Sequence, residues 1–141
     1  MIKIFNEFNK IDASVVIIEN DMGEILLLKR HEKCKQQGWC LPGGRKEKKD
    51  STLLDTIQRE TFEETNLFFK KSKFNFLGTE LSVRNFRINV YYIKLNKLKN
   101  KINLSKEHTE YVWTKNYENF DLAGNTKRYI DLIKNSPYYS N

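Results

Sequence analysis

The 141-residue chain is poor in residues that interrupt or cross-link a fold, with two prolines, six glycines and two cysteines. No apolar run approaches the ~20 residues of a membrane-spanning helix, and the first residues, MIKIFNEFNK, lack the continuous apolar stretch of a secretory signal. Neither internal repeats nor a linker rich in Pro, Gly or Ser divides the sequence. We therefore expect a single domain over residues 1–141, a cytoplasmic location and no membrane partner.

The two cysteines, Cys34 and Cys40, have no further Cys or His partners at the spacing of a zinc finger. The sequence alone does not exclude a disulfide, but a chain of this size does not need one to stabilise its core. We expect free thiols, as is usual inside cells. The two histidines, His31 and His108, are expected on the surface.

The formal net charge is +7, with 25 Lys and Arg against 18 Asp and Glu. Such a balance is compatible with an anionic partner such as a nucleotide or RNA. The lysines are scattered along the whole chain, however, which a general lysine bias also explains. A protein that only binds nucleic acid would need clustered arginines and aromatics, and the sequence shows no such cluster.

The first half of the chain predicts a hairpin that leads into an irregular loop. The β-branched run ASVVII at 13–18 and the run EILLLK at 24–29 predict strands, joined by a turn at Asn20–Gly23. Residues 31–37 are polar and predict a loop. In the segment GWCLPGG at 38–44, Pro42 and two glycines argue against a regular helix or a central strand.

Two helices and further strands are predicted beyond this loop. Residues 51–65 contain no Pro or Gly and predict a helix, with Asp50 or Ser51 as the N-cap and Asn66 as the C-cap. Strands are expected at about 74–83, 86–95 and 111–113, with a tight turn at 84–85. Residues 126–134 predict a second helix capped by Asn125. This interleaving predicts an α+β or layered α/β globule.

The helix at 51–65 carries three glutamates, Glu60, Glu63 and Glu64, at positions i, i+3 and i+4. This spacing places all three carboxylates on one face, where like charges repel. Three converging carboxylates suit a hard divalent cation such as Mg²⁺. The alternative is a solvated acidic face, but Gly43 and Gly44 in the preceding loop allow the backbone to approach a ligand closely.

These residues together resemble the Nudix box, which runs here from Gly44 through Asp50 to Arg59-Glu60-Thr61-Phe62-Glu63-Glu64-Thr65-Asn66-Leu67. The lead-in WCLPG, the upstream hairpin and the later segment EHTEYVW at 107–113 are also similar to the family, so the resemblance covers residues 12–134. It implies an α/β/α sandwich around a mixed β-sheet, with the box at about 43–67. Three positions depart from the family pattern: Asp50 replaces a Glu, Asn66 replaces a Gly, and eight residues rather than seven separate Asp50 from Arg59.

The resemblance also implies a metal site and catalytic roles. Mg²⁺, with Mn²⁺ as a substitute, is expected on Glu60, Glu63 and Glu64, with the carbonyl of Gly43 as an additional ligand. Glu60 and Glu63 are also expected to be catalytic. Arg59 is expected to orient a glutamate, with Glu63 four residues on as the expected partner. Glu110, with Glu107 as the alternative, is expected to supply a further carboxylate as ligand or general base, although a surface strand residue fits Glu110 equally well.

Substrate contacts are expected from Gly44 and Arg45, which would hold phosphate oxygens. Trp39 is a candidate for stacking on a base, against the alternative that it packs in the core. Asn125 is a candidate for reading a purine edge, against the alternative that it only caps the second helix.

The implied function is hydrolysis of the diphosphate linkage in a nucleoside diphosphate derivative. We expect a nucleoside triphosphate, oxidised forms included, because the domain is small. The alternatives are ADP-ribose, a nucleotide sugar, a dinucleoside polyphosphate and the 5′ end of RNA. A non-catalytic nucleotide-binding module is the competing class, and it would favour loss of a box glutamate, whereas all three are present. A monomer or a homodimer is expected.

Overall fold

The computed structural model describes residues 10–82, 85–98 and 101–138. In this part of the chain seven strands form one mixed sheet. They are β1 (Ile11–Glu19), β2 (Ile25–Arg30), β3 (Trp39–Cys40), β4 (Gly43–Arg45), β5 (Asn75–Leu81), β6 (Phe86–Lys94) and β7 (His108–Thr114). The main order is β3-β2-β1-β6-β5, with β4 also paired to β1 and β7 to β2.

Strand β1 lies at the centre of this sheet. It pairs with β6 in parallel along its whole length, and on its other edge it pairs antiparallel with β4 and then β2. Its sequence explains the position: Val16, Ile17 and Ile18 are all fully buried, as expected for a strand covered on both faces.

Helices cover both faces of the sheet and give an α/β/α sandwich. Helix α1 (Leu53–Thr65) packs Ile57 on the face that carries Val16 and Leu26. Helix α2 (Thr126–Asp131) packs Ile130 on the opposite face. Neighbouring residues of β1 and β2 alternate between these two cores, which follows from the two-residue period of a strand. The predicted fold class is confirmed.

Helix α1 begins two residues later than the sequence predicted. Its N-cap is Thr52, whose hydroxyl accepts from the Asp55 amide, while the Asp55 carboxylate accepts from the Thr52 amide. This reciprocal capping box satisfies two amides that would lack partners, so the assignment of the cap to Asp50 or Ser51 was wrong. The C-cap at Asn66 is confirmed, with a left-handed φ of 68°.

The remaining elements follow the predictions with shifted ends. The loop at 38–44, for which no regular helix or central strand was expected, forms the short strands β3 and β4 on either side of Pro42. Helix α2 ends at Asp131 and continues as a 3₁₀ turn, Leu132–Asn135. Residues 83 and 84, the end of one predicted strand and the start of a predicted turn, lie outside the described residues. Among the described residues, no helix combines the length and apolar character needed to cross a membrane.

Candidate active site

The loop strand β4 and helix α1 are held together through β1. Gly43 and Gly44 pair with Val15 and Ser14 of β1. The Ser14 hydroxyl donates to the carbonyl of Leu53 at the start of α1, at 2.8 Å. One strand therefore fixes both the glycine loop and the helix that carries the glutamates.

The two glycines allow the helix carboxylates to approach the loop backbone. The Gly43 amide donates to Oε1 of Glu64 at 2.8 Å. A Cβ on Gly44 would lie 2.5 Å from the carboxylate carbon of Glu60. The absence of a side chain at Gly44 therefore leaves the space that the Glu60 carboxylate occupies. Glycine is needed here for this space and not for an unusual backbone conformation.

A cavity of about 310 Å³ opens between the loop and the helix. Its wall combines both signs of charge, with the carboxylates of Glu60, Glu64 and Glu107 and the guanidinium groups of Arg30 and Arg45. Such a wall can hold a cation at the carboxylates and phosphate oxygens at the arginines.

The environment of this wall disfavours the charged form of its buried carboxylates. Burial raises the pKa of Glu64 well above its usual value, in spite of the hydrogen bond from Gly43. Burial also raises the pKa of Glu60, and the charges of Glu63 and Glu107 add to this effect. Glu63 is half exposed and lies outside the cavity wall. A bound divalent cation would stabilise the charged form of these carboxylates. The set of buried and converging carboxylate oxygens therefore fits a hard metal ion.

Arg59 binds carboxylates on both sides of the loop-to-helix junction. Its Nε and Nη2 donate to the two oxygens of Asp50 at 3.1 and 2.8 Å, and its Nη1 donates to Glu60 at 2.8 Å. Glu63, the expected partner, is farther away at 3.4 Å. The expected ion pair with Glu63 is therefore present, but the buried Asp50 and the adjacent Glu60 form shorter contacts with Arg59 than the exposed Glu63 does.

Asp50 is a structural anchor of the box. It is buried and also accepts from the Glu47 amide and the Thr56 hydroxyl. The hydrogen bonds from Arg59 hold the pKa of Asp50 well below its usual range. Asp50 thus forms a local salt bridge with Arg59 and does not cap the helix.

The sequence favoured Glu110 as the further carboxylate of the site, but the residue that lines the cavity is Glu107. Glu110 lies on β7 opposite Lys29, is 60% exposed and forms an ion pair with that lysine at 3.3 Å. Glu107 lies just before β7 and lines the cavity. A register shift between Lys29 and Arg30 displaces the pairing at this end of β7, which the sequence pattern did not reveal.

Two expected substrate contacts lie away from the cavity. Trp39 packs edge to face on Phe120, with ring centroids 5.2 Å apart, which fits the alternative of a core role. Asn125 occupies the N-cap position of α2 but makes no side-chain capping bond there. Arg45 does line the cavity, and its guanidinium lies over the ring of Phe86 at 5.0 Å.

Sequence reasoning missed His108, which was expected on the surface. It is buried at the cavity wall, because β7 begins there and turns this side chain towards Cys40 and Glu64. Burial lowers the pKa of His108 to about 4, and the nearby Arg30 charge adds to this effect. Burial raises the pKa of the Cys40 thiol to about 11. Both cysteines are free thiols, as predicted. His31 is partly buried.

The sequence between residues 9 and 133 matches the family described as NUDIX domain. Among curated proteins, none matches this chain at a significant level.

Solved structures share the fold at low sequence identity. The NUDIX domain of Shewanella oneidensis NrtR, complexed with ADP ribose, has a TM-score of 0.75 at 17% identity, covering 89% of this chain and 87% of that one. A MutT/nudix family protein from Enterococcus faecalis has a TM-score of 0.64 at 18% identity, covering 74% of this chain and 43% of that one.

A third structure is a bifunctional NMN adenylyltransferase/ADP ribose pyrophosphatase from Francisella tularensis, complexed with AMP and a manganese ion. Its TM-score is 0.70 at 21% identity, covering 89% of this chain and 41% of that one. The present chain thus spans less than half the length of two of these three proteins. At such identities the likeness establishes the fold alone.

Proposed function

This chain belongs to the NUDIX domain family of pyrophosphohydrolases, and on that premise we propose that it hydrolyses a nucleoside triphosphate, oxidised forms included, to a mononucleotide and pyrophosphate. The observation that carries the proposal is the single cavity wall on which Glu60 and Glu64 lie beside Arg30 and Arg45. A diphosphate needs both parts of such a wall, because its oxygens bind a cation and guanidinium groups together.

The size of the cavity supports one nucleotide as the substrate. At about 310 Å³ it lies at the lower end of the range for ligand sites, roughly 300–1,000 Å³. Such a volume accommodates a diphosphate and part of a nucleoside more readily than two nucleosides. This favours a triphosphate over a dinucleoside polyphosphate.

Glu64 and the Gly43 carbonyl are the proposed ligands of Mg²⁺, with Mn²⁺ as a substitute, together with Glu63, whose half-exposed side chain would have to turn towards the ion from outside the cavity wall. When bound, the metal neutralises charge on the diphosphate and lowers the pKa of a water molecule. Gly43 binds Glu64 through its amide, which holds that carboxylate against the loop.

Glu60 is the proposed general base. Arg59 binds its Oε1 atom, which leaves Oε2 to accept the proton from the attacking water. The raised pKa of Glu60 suits this task, because a base works best when its pKa lies near the working pH. The oxygen of water forms a bond to phosphorus, the bridging P–O bond breaks, and pyrophosphate leaves. Arg45 and the backbone at Gly44 orient the phosphate oxygens.

ADP-ribose is the second candidate substrate. The NrtR domain that shares this fold was solved with ADP ribose, and the Francisella protein includes an ADP ribose pyrophosphatase. ADP-ribose contains the same diphosphate linkage and would use the same carboxylates. It would give AMP and ribose phosphate, so the products separate it from a triphosphate.

The test is release of phosphate and pyrophosphate, with and without Mg²⁺, across nucleoside triphosphates, oxidised forms, ADP-ribose, nucleotide sugars, dinucleoside polyphosphates and RNA with a 5′ triphosphate. Glu60→Gln is expected to lower kcat by about 10²–10⁴ while Mn²⁺ binding persists. Loss of metal binding in this variant would instead make Glu60 a ligand. No turnover across the panel, with nucleotide binding that survives Glu64→Gln, would overturn hydrolysis in favour of a binding module.

A further inference from the structure

One group of potential metal ligands in the cavity includes a nitrogen atom, whereas the expected ligands from the Nudix box are all oxygen atoms. Glu64, Glu107 and His108 each offer one ligand atom, and these atoms lie within 4.8 Å of one another. We propose that the three residues bind a divalent transition metal, with the imidazole of His108 as a direct ligand. The inference rests on the proposed function, because Glu64 is shared with the box carboxylates.

One ring nitrogen of the buried His108 has no hydrogen-bond partner among the described residues. The side chain is 5% exposed, and within the described residues its Nδ1 atom has no hydrogen-bond partner. The nearest carboxylate oxygen, Oε2 of Glu64, is 3.8 Å away, too far for a hydrogen bond. A buried polar atom without a partner is costly, so this nitrogen points to a ligand.

The spacing leaves room for a metal ion. Nitrogen and oxygen ligands lie about 2.1 Å from such an ion, so two ligands on one ion lie at most about 4.2 Å apart. The 3.8 Å between His108 and Glu64 falls within this limit. Glu107 is exposed and its ligand atom lies within 4.8 Å of the other two, so its side chain would have to rotate to contact the same ion.

Cys40 fixes the orientation of the imidazole. Its Sγ atom lies 3.6 Å from Nε2 of His108, whereas Glu64 is near the other ring nitrogen, Nδ1. When Nε2–H donates to this sulfur, the lone pair of the neutral imidazole lies on Nδ1 and faces Glu64. A ligating histidine commonly donates its other N–H in this way. Cys40 is therefore a positioning residue.

Arg30 is the competing partner in this part of the cavity. Its charge acts on Glu64 and His108, and its Nε atom is also buried without a hydrogen-bond partner among the described residues. Among the described residues, however, three carboxylates and two guanidinium groups line the cavity, so carboxylate ligands outnumber the arginines that could pair with them. If Arg30 alone neutralised Glu64, no metal ion would contact His108.

The nitrogen ligand distinguishes this group from an all-oxygen magnesium site. Imidazole suits metals such as zinc, iron and nickel, whereas Mg²⁺ prefers carboxylates, carbonyls and water. The site is therefore expected to favour transition metals over Mg²⁺, with Mn²⁺ accepting both kinds of ligand. His108 would set this preference, because it is the nitrogen donor of the group.

The test is electron spin echo spectroscopy of Mn²⁺ added alone to the tag-free protein. The chain has only two histidines, so the assignment is direct. We expect modulation from a coupled ¹⁴N nucleus, which changes to the ¹⁵N pattern after labelling with ¹⁵N-histidine. The signal should disappear in His108→Gln and persist in the matched control His31→Gln. His31 is not among the cavity-lining residues, and its Nδ1 accepts from the Lys33 amide.

Metal affinity provides the second measurement. His108→Gln is expected to weaken Mn²⁺ binding about tenfold or more, a loss typical for a disturbed metal site. Mg²⁺ binding should change by less than about threefold, since Mg²⁺ gains little from imidazole.

The two proposals fail in different ways. Bound Mn²⁺ without nitrogen modulation in the wild-type protein would overturn the role of His108, while Mg²⁺-dependent turnover would leave the proposed function intact. Loss of the nitrogen signal in His31→Gln would also overturn the role of His108. If His108→Gln does not fold, the labelled wild-type protein still decides the question. Nitrogen modulation without turnover of any substrate would support the metal site and count against hydrolysis.

Discussion

Arg59 and Asp50 form a two-point ion pair across the junction between the glycine loop and helix α1, with contacts of 3.1 and 2.8 Å. The Asp50 side chain is 4% exposed and that of Arg59 is 14% exposed. Arg59 also binds Glu60, so the pair connects a buried loop residue to the proposed general base. The partners lie nine positions apart in the sequence, and the longer spacing of this box does not prevent their contact.

We expect Asp50→Ala to destabilise the protein by about 2–4 kcal/mol. The substitution removes a buried partner of a charged group, and the remaining carboxylates around Arg59 limit the loss. Urea unfolding would measure it. Glu47→Gln is the matched control, because Glu47 contacts the same arginine from an exposed position and should cost less than about 1 kcal/mol. Equal losses in the two variants would contradict the anchoring role of Asp50.

The same pair should appear in the pH dependence of stability. The pKa of Asp50 is lowered in the folded protein, so its contribution is fully present above the unfolded value, about 3.9. It is lost as the pH falls below that value towards the lower folded pKa. Below pH 4 the wild-type protein should lose stability faster than Asp50→Ala, in urea titrations at stepped pH. Parallel curves for the two proteins would refute this expectation.

Glu64→Gln is expected to stabilise the metal-free protein at pH 8. Burial raises the pKa of Glu64, so the penalty for its charge is absent below the unfolded value of about 4.3 and grows as the pH rises through the folded one. The neutral amide of the variant carries no such penalty, so its melting temperature at pH 8 should be higher than that of the wild type. Thermal unfolding at pH 8 and pH 4 measures the difference, which should vanish at pH 4. Saturating Mg²⁺ should stabilise the wild type and not this variant.

Glu107→Gln should lower kcat about tenfold or more, whereas Glu110→Gln should change it by less than about twofold. The first residue lines the cavity and the second is paired with Lys29 on an exposed strand. Steady-state rates on the best substrate of the panel measure both. A larger effect at Glu110 would restore the assignment that the sequence favoured.

Gly44→Ala should impair catalysis more than stability. The added Cβ would meet the Glu60 carboxylate at 2.5 Å, and a flexible side chain moves more easily than a backbone. A displaced base is expected to cost about 10²-fold in kcat. Gly78→Ala is the control, because its Cβ would meet only Leu132 at 3.8 Å. Normal kcat in Gly44→Ala, at unchanged melting temperature, would argue against Glu60 as the base.

Local patterns predicted most of the fold. The β-branched run of β1 and the Pro- and Gly-free stretch of α1 each dictate their own structure. Asn66 was predictable as a C-cap because Asn tolerates the left-handed conformation. The true N-cap was also present as a signal, since Thr52 precedes Asp55 by the three residues of a capping box.

The site was less predictable, because its members come from distant parts of the chain. Helical spacing placed Glu60, Glu63 and Glu64 on one side of α1, but it did not reveal that Glu63 stays half exposed. The choice between Glu107 and Glu110 depended on a register shift in β7, which no local pattern encodes. The burial of His108 depends on Cys40 and Glu64, 68 and 44 positions away.

The parallel pairing of β1 with β6 has a consequence for synthesis in the cell. Its partners, such as Asp12 and Arg87, are 75 positions apart. At about 5–20 residues per second, a ribosome needs roughly 4–15 seconds to make the chain between them. During that interval one edge of β1 has no native neighbour, and its apolar residues are open to other nascent chains. We therefore expect translation speed and chaperone supply to decide how much of this protein matures.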